Sequence, residues 1–315
     1  HRFERFDAYF YKDGDSLSRE VATIAERKIP EIENFFGYGL QKRLIFVCYK
    51  RLSDFRESNI GFDSGNENSN IGGVTQIIDN KVFVYYEDDK FSLEKQIASG
   101  ITQVLINDML YSGSYSRRFT NSTLIELPEW YHDGLVSYLS EEWSFQIEDR
   151  IKDGFSSGKY KKINHLTGDD AKFAGHSFWY FIGETYGKDV VPNILYMTRI
   201  NKNSDVGFRY VLGLSVKELT PFWKDFYDVK FSDTEGRFEM PSDEYKIVKG
   251  KRDAFLQQAK ISPDNKKIAY VSNQMGKYKI RIYDREEEKS KTIRKKGHKL
   301  DQISDYSYPV LAWHP

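Results

Sequence analysis

The chain has one cysteine, eight prolines and four methionines in 315 residues, and no net charge, since 47 Lys and Arg balance 47 Asp and Glu. A lone cysteine excludes an intramolecular disulfide framework. It leaves the compartment open, because oxidising compartments permit disulfides without requiring them. Charge balance removes any net field toward nucleic acid or an anionic membrane, so no nucleic-acid partner is expected. No apolar run approaches the ~20 residues that a membrane span requires. The six histidines are His1, His132, His165, His176, His298 and His314, and no two stand at i, i+3 or i, i+4. That spacing excludes a helical pair of zinc ligands. Aromatic residues, in contrast, are plentiful, with 22 Tyr, 22 Phe and 5 Trp. Such a chain can bury a large core.

Periodicity divides the first 230 residues into two parts. Phe6–Tyr11 alternates like a strand, and Ser16 is a plausible cap for a helix through Leu17, Val21, Ile24, Ala25 and Ile29. Leu44–Tyr49 reads as a strand that buries Cys48 as an inert thiol. Arg51–Phe55 reads as a helical turn, and Gly61–Asn70 as a loop. Gly72–Ile78 and Lys81–Tyr86 flank Asp79-Asn80 as a hairpin. From Ser92 the pattern turns helical: Leu93, Ile97, Ile101, Val104 and Leu105 share a face, and Pro128 opens a second helix through Tyr138. Further helices are expected over His176–Tyr186, Val190–Ile200, Val206–Leu212 and Val216–Tyr227, with Gly213 as a stop. Asn121-Ser-Thr123 matches a glycosylation sequon and is read as loop only.

Several signals in this order carry a resemblance. They are the β-α-β-loop-hairpin-helix series, then LPEWYHDGLVSYL, Ala174-Gly-His-Ser-Phe-Trp-Tyr-Phe181, Tyr186-Gly187, and Val211–Leu219 followed by Phe222-Trp223. Together, over Phe6 to Asp228, they resemble the peptidase MA-like gluzincins. That resemblance implies a zincin fold whose first active-site helix carries HExxH and whose second supplies a glutamate ligand. Laid on that pattern, Ser99 and Gln103 occupy the histidine positions, Gly100 the general base and Asp133 the third ligand. Two neutral side chains and one carboxylate hold zinc poorly, and glycine accepts no proton. No metal, no other cofactor and no peptidase activity are therefore expected. Asp133 is expected to bond Gln103 or a backbone group, and His132 to point about 100° off its face. Trp130, Tyr131 and His176 are the candidates for lining a binding cleft, Trp130 and Tyr131 reading first as core and cleft wall and His176 as a cap or a cleft neighbour.

Beyond Asp228, residues 231–245 read as a linker, and short alternating strands follow at Ala259–Asp264, Lys267–Ser272 and Lys279–Asp284. Leu311–Pro315 echoes Lys260–Pro263, with prolines 315 − 263 = 52 residues apart. This stretch resembles a TolB-type propeller repeat, about one blade of it. The basic run Lys289–Lys299 reads as a solvated loop between blades.

The expected architecture is thus α+β. Residues 1–230 form a two-lobe gluzincin-like pseudopeptidase, mixed α/β then helical, and residues 246–315 a partial β-propeller. The chain starts at His1 and stops at Pro315 in mid-pattern, which reads as a piece of a longer protein whose targeting segment lies elsewhere. Gluzincin-like domains joined to TolB-type propellers resemble Bacteroidota envelope proteins. By that resemblance the expected role is a scaffold that binds protein partners in the periplasm or at the outer membrane. The alternative is a metal-independent hydrolase that uses Asp133 with Ser99 in the same cleft.

Overall fold

Alternating side chains at Leu44–Tyr49 make β2 the strand on which the first sheet is built. The structure, a computed structural model, describes residues 1–51, 54–55, 76–78, 80–86, 89–111, 127–235, 242–248, 250, 254–298 and 309–314. Among these, the residues up to 235 and those from 242 on fall into two compact units. The chain is α+β, as its patterning requires.

In the first unit β1 (Phe6–Phe10) and β4 (Lys81–Tyr85) flank β2 in parallel, and β3 (Gln76–Ile78) adds to β4 antiparallel, giving the order β1-β2-β4-β3. Ala8, Phe46 and Val82 stand in one row across the sheet, and Phe10, Cys48 and Val84 in another. Both rows are on one face, where Ala8, Phe46, Val82, Cys48 and Val84 are buried in the core, and burial pushes the Cys48 thiol up to about 12. The hairpin holds at Ile78 opposite Lys81; its expected start at 72–75 and the Gly61–Asn70 loop lie outside the described residues, as does the sequon. Asp54 and Phe55 are helical, as the turn reading anticipates.

Two long helices pack on this sheet: α1 (Asp15–Phe36) and α2 (Lys90–Tyr111). Helix α1 runs past its expected end and through Pro30, because Ile32 and Phe36 carry its buried face onward. Its cap is Gly14, and Ser16 lies inside the first turn. After α2 come α3 (Glu129–Ser140), α4 (Phe145–Ser156), a 3-10 segment (Lys159–His165), α5 (Gly168–Tyr186), α6 (Val190–Asn201), α7 (Ser204–Leu212) and α8 (Val216–Glu235). Ser144 caps α4 by accepting from the Ile147 amide, and Asn203 caps α7 by accepting from Val206. Helix α5 begins eight residues before its expected start at His176, so that histidine is mid-helix and not a cap. Helix α8 continues to Glu235 with Phe231 buried, so the expected linker from 231 begins with helix.

Helices α3 and α5 approach through glycine. A Cβ on Gly134 would lie 2.3 Å from Gly175 Cα, and one on Gly175 would lie 2.0 Å from the Trp130 carbonyl oxygen. Around that contact Trp130, Tyr131, Phe178, Trp179 and Phe208 form an aromatic core with ring centroids 5.0–6.3 Å apart.

The second unit is a four-stranded antiparallel sheet in chain order, β5 (Phe255–Ile261), β6 (Lys267–Gln274), β7 (Lys277–Asp284) and β8 (Lys289–Lys296). The basic run read as a loop is therefore a strand over most of its length. Ser262 closes the β5–β6 turn: its hydroxyl donates to Asp264 Oδ1 and accepts from the Lys267 amide.

Candidate functional site

Helix α2 meets β4 through Gln96, whose side-chain amide takes both backbone groups of Tyr85. The Tyr85 N–H donates to Gln96 Oε1 at 3.1 Å, and Gln96 Nε2 donates to the Tyr85 carbonyl at 2.9 Å. An added strand would use the same two groups. Gln96→Ala strands both and is expected to cost about 2 kcal/mol in a denaturant titration; an unchanged midpoint would mean that the clasp carries no stability.

One turn further along α2, Gly100 faces the same strand. A Cβ there would lie 2.3 Å from Val82 Cγ1 and 3.1 Å from Cγ2. The general-base position of the zincin pattern therefore has no room even for a methyl group while Val82 keeps its place.

Helices α2 and α3 run antiparallel. Ser99 Oγ stands 3.0 Å from Ser140 Oγ near one end, and the Tyr111 phenol acts electrostatically on Tyr131 near the other. Ser140 also donates to the Val136 carbonyl. Asp133 is elsewhere: seven residues before Ser140, it lies about 10 Å away along α3. Its partner is His132, with Nδ1 2.8 Å from Asp133 Oδ1. The expected bond from Asp133 to Gln103 or to the backbone is thus replaced by one to the neighbouring ring. The His132 ring reaches the neighbouring carboxylate, and among the described residues its Nε2 is buried without a partner. Ser99 and Asp133 do not share a point, and Gln103 is partly buried. Among the described residues, no three His, Cys, Asp or Glu side chains gather as a metal-ligand group.

Trp130 and Tyr131 do not line a cleft; both are wholly inside the protein. The Trp130 indole donates to Asn164 Oδ1 at 2.7 Å, and the Tyr131 hydroxyl is 3.0 Å from Thr198 Oγ1. Burial raises the Tyr131 phenol far beyond its ordinary value. His176 is equally enclosed, at 1% exposure. These three are core by virtue of the close α3–α5 packing, which places their helix faces against each other.

The polar centre of this unit is a cluster of which sequence reading named only His176. Glu141, directly after α3, accepts from Lys95 Nζ of α2 at 2.7 Å and Lys172 Nζ of α5 at 2.6 Å. Ser137 donates its single hydroxyl proton to Glu141 Oε1 at 3.0 Å, so at 3.0 Å it accepts from His176 and the ring proton sits on Nδ1. Desolvation lowers His176 to about 4, a fall that the Lys172 charge assists and Glu141 opposes. Burial would raise Glu141, but Lys172 and Lys95 outweigh it and hold the carboxyl below its ordinary range. The trace in the sequence is spacing: Lys95, Lys172 and Glu141 each stand one helical turn from Ser99, His176 and Ser137 respectively. Chemically, the cluster joins three helices with a neutral imidazole at its closed end.

No family model matches this chain, and no curated protein matches it. Among the described residues no helix is long and apolar enough to cross a membrane.

Proposed function

We propose that the first unit is a non-catalytic zincin-like pseudopeptidase and that, with a propeller begun by the second unit, it scaffolds a protein assembly of a bacterial envelope. The observation that carries the proposal is the seat of Gly100. Val82 fills the space where a base would project, so water activation has no agent there even if a metal were supplied. The surroundings agree: Ser99 is engaged with Ser140, and Gln96 takes the Tyr85 backbone groups that an extended substrate would pair with.

For the second unit, four antiparallel strands in chain order are the form a propeller blade takes, and the echo at Leu311–Pro315 marks the start of a further repeat. A single blade leaves both sheet faces open, so the propeller reading calls for further blades. The periplasmic or outer-membrane setting and the protein partners follow from the Bacteroidota resemblance alone. The alternative hydrolase would need Asp133 and Ser99 together, and about 10 Å of α3 separates Asp133 from Ser140, the partner of Ser99.

Purified chain is expected to carry no stoichiometric zinc by metal analysis and to cleave no peptide. The S99H/G100E/Q103H variant is expected to lose stability and gain no activity. Stoichiometric zinc in the unaltered chain, or chelator-sensitive cleavage that survives purification, would overturn the proposal. Cross-linking in native membranes tests the scaffold role, where the absence of any stable partner would count against it.

A further inference from the structure

We propose that the outer edge of β8 is a docking strip for an acidic, extended protein segment, which adds to the second unit's sheet as a fifth strand. The proposal concerns the second unit by itself and stands apart from the reading of Gly100, so either can fail alone.

Strand β8 ends the sheet: it pairs with β7 on one side, and among the described residues no strand pairs with its other side. Its eight residues, KSKTIRKK, contain five cations, Lys289, Lys291, Arg294, Lys295 and Lys296, all exposed. None of the five makes an ion pair among the described residues. Their cross-strand neighbours offer little relief. Lys296 stands opposite Tyr278, Arg294 opposite Ile280, Lys291 opposite Ile282, and Lys295 directly opposite Lys279. A like-charge pair facing across a ladder is unfavourable. Only Lys289 faces an acid, Asp284, whose Oδ1 already accepts from the Glu286 and Glu287 amides.

Lysines on a sheet edge commonly guard it against strand addition by other chains. Five cations in eight residues, none of them ion-paired among the described residues, are more than such guarding calls for. The same charges that repel a neutral or basic strand select an acidic one. Geometry favours an extended peptide over a diffuse polyanion. Side chains on one face of a strand repeat every ~6.6 Å, and those of a paired strand repeat in step. Lys289 and Lys291 lie on one face with Ile282 and Asp284, and Lys295 lies on the other with Lys279. A partner with acids at alternate and neighbouring positions meets cations on both faces, while its backbone takes the free N–H and C=O groups of the edge. A register shift leaves Ile293 unpaired and 59% exposed between the cations, an apolar contact for such a strand. The opposite end of the sheet differs, since Trp313 donates to the Lys260 carbonyl of β5.

The test uses the full chain and three probes in fluorescence anisotropy: the peptide EVETEVET, the same peptide N-methylated at alternate residues, and oligothymidylate of equal charge. The plain peptide is expected to bind, to weaken as salt rises, and to lose roughly tenfold in affinity when Lys289, Lys291 and Arg294 are changed to glutamate. Those positions are exposed, and circular dichroism of the variant confirms that the sheet persists. The N-methylated peptide keeps its charge but cannot pair as a strand, and is expected not to bind. Equal binding of both peptides would overturn the proposal in favour of unspecific charge attraction. Tighter binding of oligothymidylate would overturn it in favour of a nucleic-acid surface, and absence of peptide binding would overturn it outright.

Discussion

Replacing Gly175 by alanine is expected to destabilise the first unit by about 3 kcal/mol and to lower its Tm by roughly 10 °C. The sign is the informative part. In an exposed helix interior the same change stabilises by up to about 1 kcal/mol, because alanine is the better helix former. Here the new methyl would stand 2.0 Å from the Trp130 carbonyl oxygen and 2.7 Å from Gly134 Cα, both backbone atoms that no rotamer can move. Helices α3 and α5 must separate, and the aromatic core around Trp130 and Trp179 opens with them. Gly134→Ala meets the same obstacle from the other side, 2.3 Å from Gly175 Cα. Since either change alone separates the helices, the double variant is expected to cost less than the sum. Thermal unfolding of the four proteins checks this; a neutral or stabilising Gly175→Ala would show that the approach is looser than described.

Acid is the second strong perturbation. His176 has a value of about 4 in the fold, against an ordinary 6.5. The depressed value means that the folded protein refuses a proton which the unfolded chain accepts. Its contribution is therefore complete above pH 6.5 and is lost as pH falls from 6.5 to 4. The interval, 6.5 − 4 = 2.5, corresponds to about 3 kcal/mol. Glu141 acts in the same direction at lower pH: its lowered carboxyl stabilises the fold above the ordinary carboxylate range and ceases to do so once protonated. Urea titrations at pH 7, 5.5 and 4 should show the loss. In His176→Gln the slope between pH 6.5 and 4 should flatten, while that below pH 4, owed to Glu141 and other carboxylates, remains. An unaltered slope in the variant would place the acid sensitivity elsewhere.

Strands β2 and β4 and the apolar face of α2 were legible because their periodicity is strong and their burial one-sided. Other elements were hidden for physical reasons. The first two turns of α5 carry Asp169, Asp170 and Lys172, so its polar start reads as loop, although Ala171 and Ala174 are buried. The pattern of the first helix reads only as far as Ile29, but the helix continues through Pro30 because Ile32 and Phe36 pack in the core. Strand β8 has a single apolar residue, Ile293, and its pairing with β7 supplies what its own pattern lacks. The Glu141 cluster was invisible for a different cause. Its members come from three helices, and only the antiparallel course of α2 and α3 brings Lys95 to Glu141. The positions laid on the zincin pattern, Ser99, Gln103 and Asp133, are not members of this cluster, which takes Lys95 from α2, Ser137 and Glu141 from the end of α3, and Lys172 and His176 from α5.

The contact between Gly100 and Val82 also sets an order for any change at this position. A side chain placed at position 100 collides with Val82, so Val82 must shrink first, and that change by itself opens a cavity in the core. Selection acting one substitution at a time therefore has no easy route to a larger residue here, and the pair works as a ratchet that holds the glycine in place.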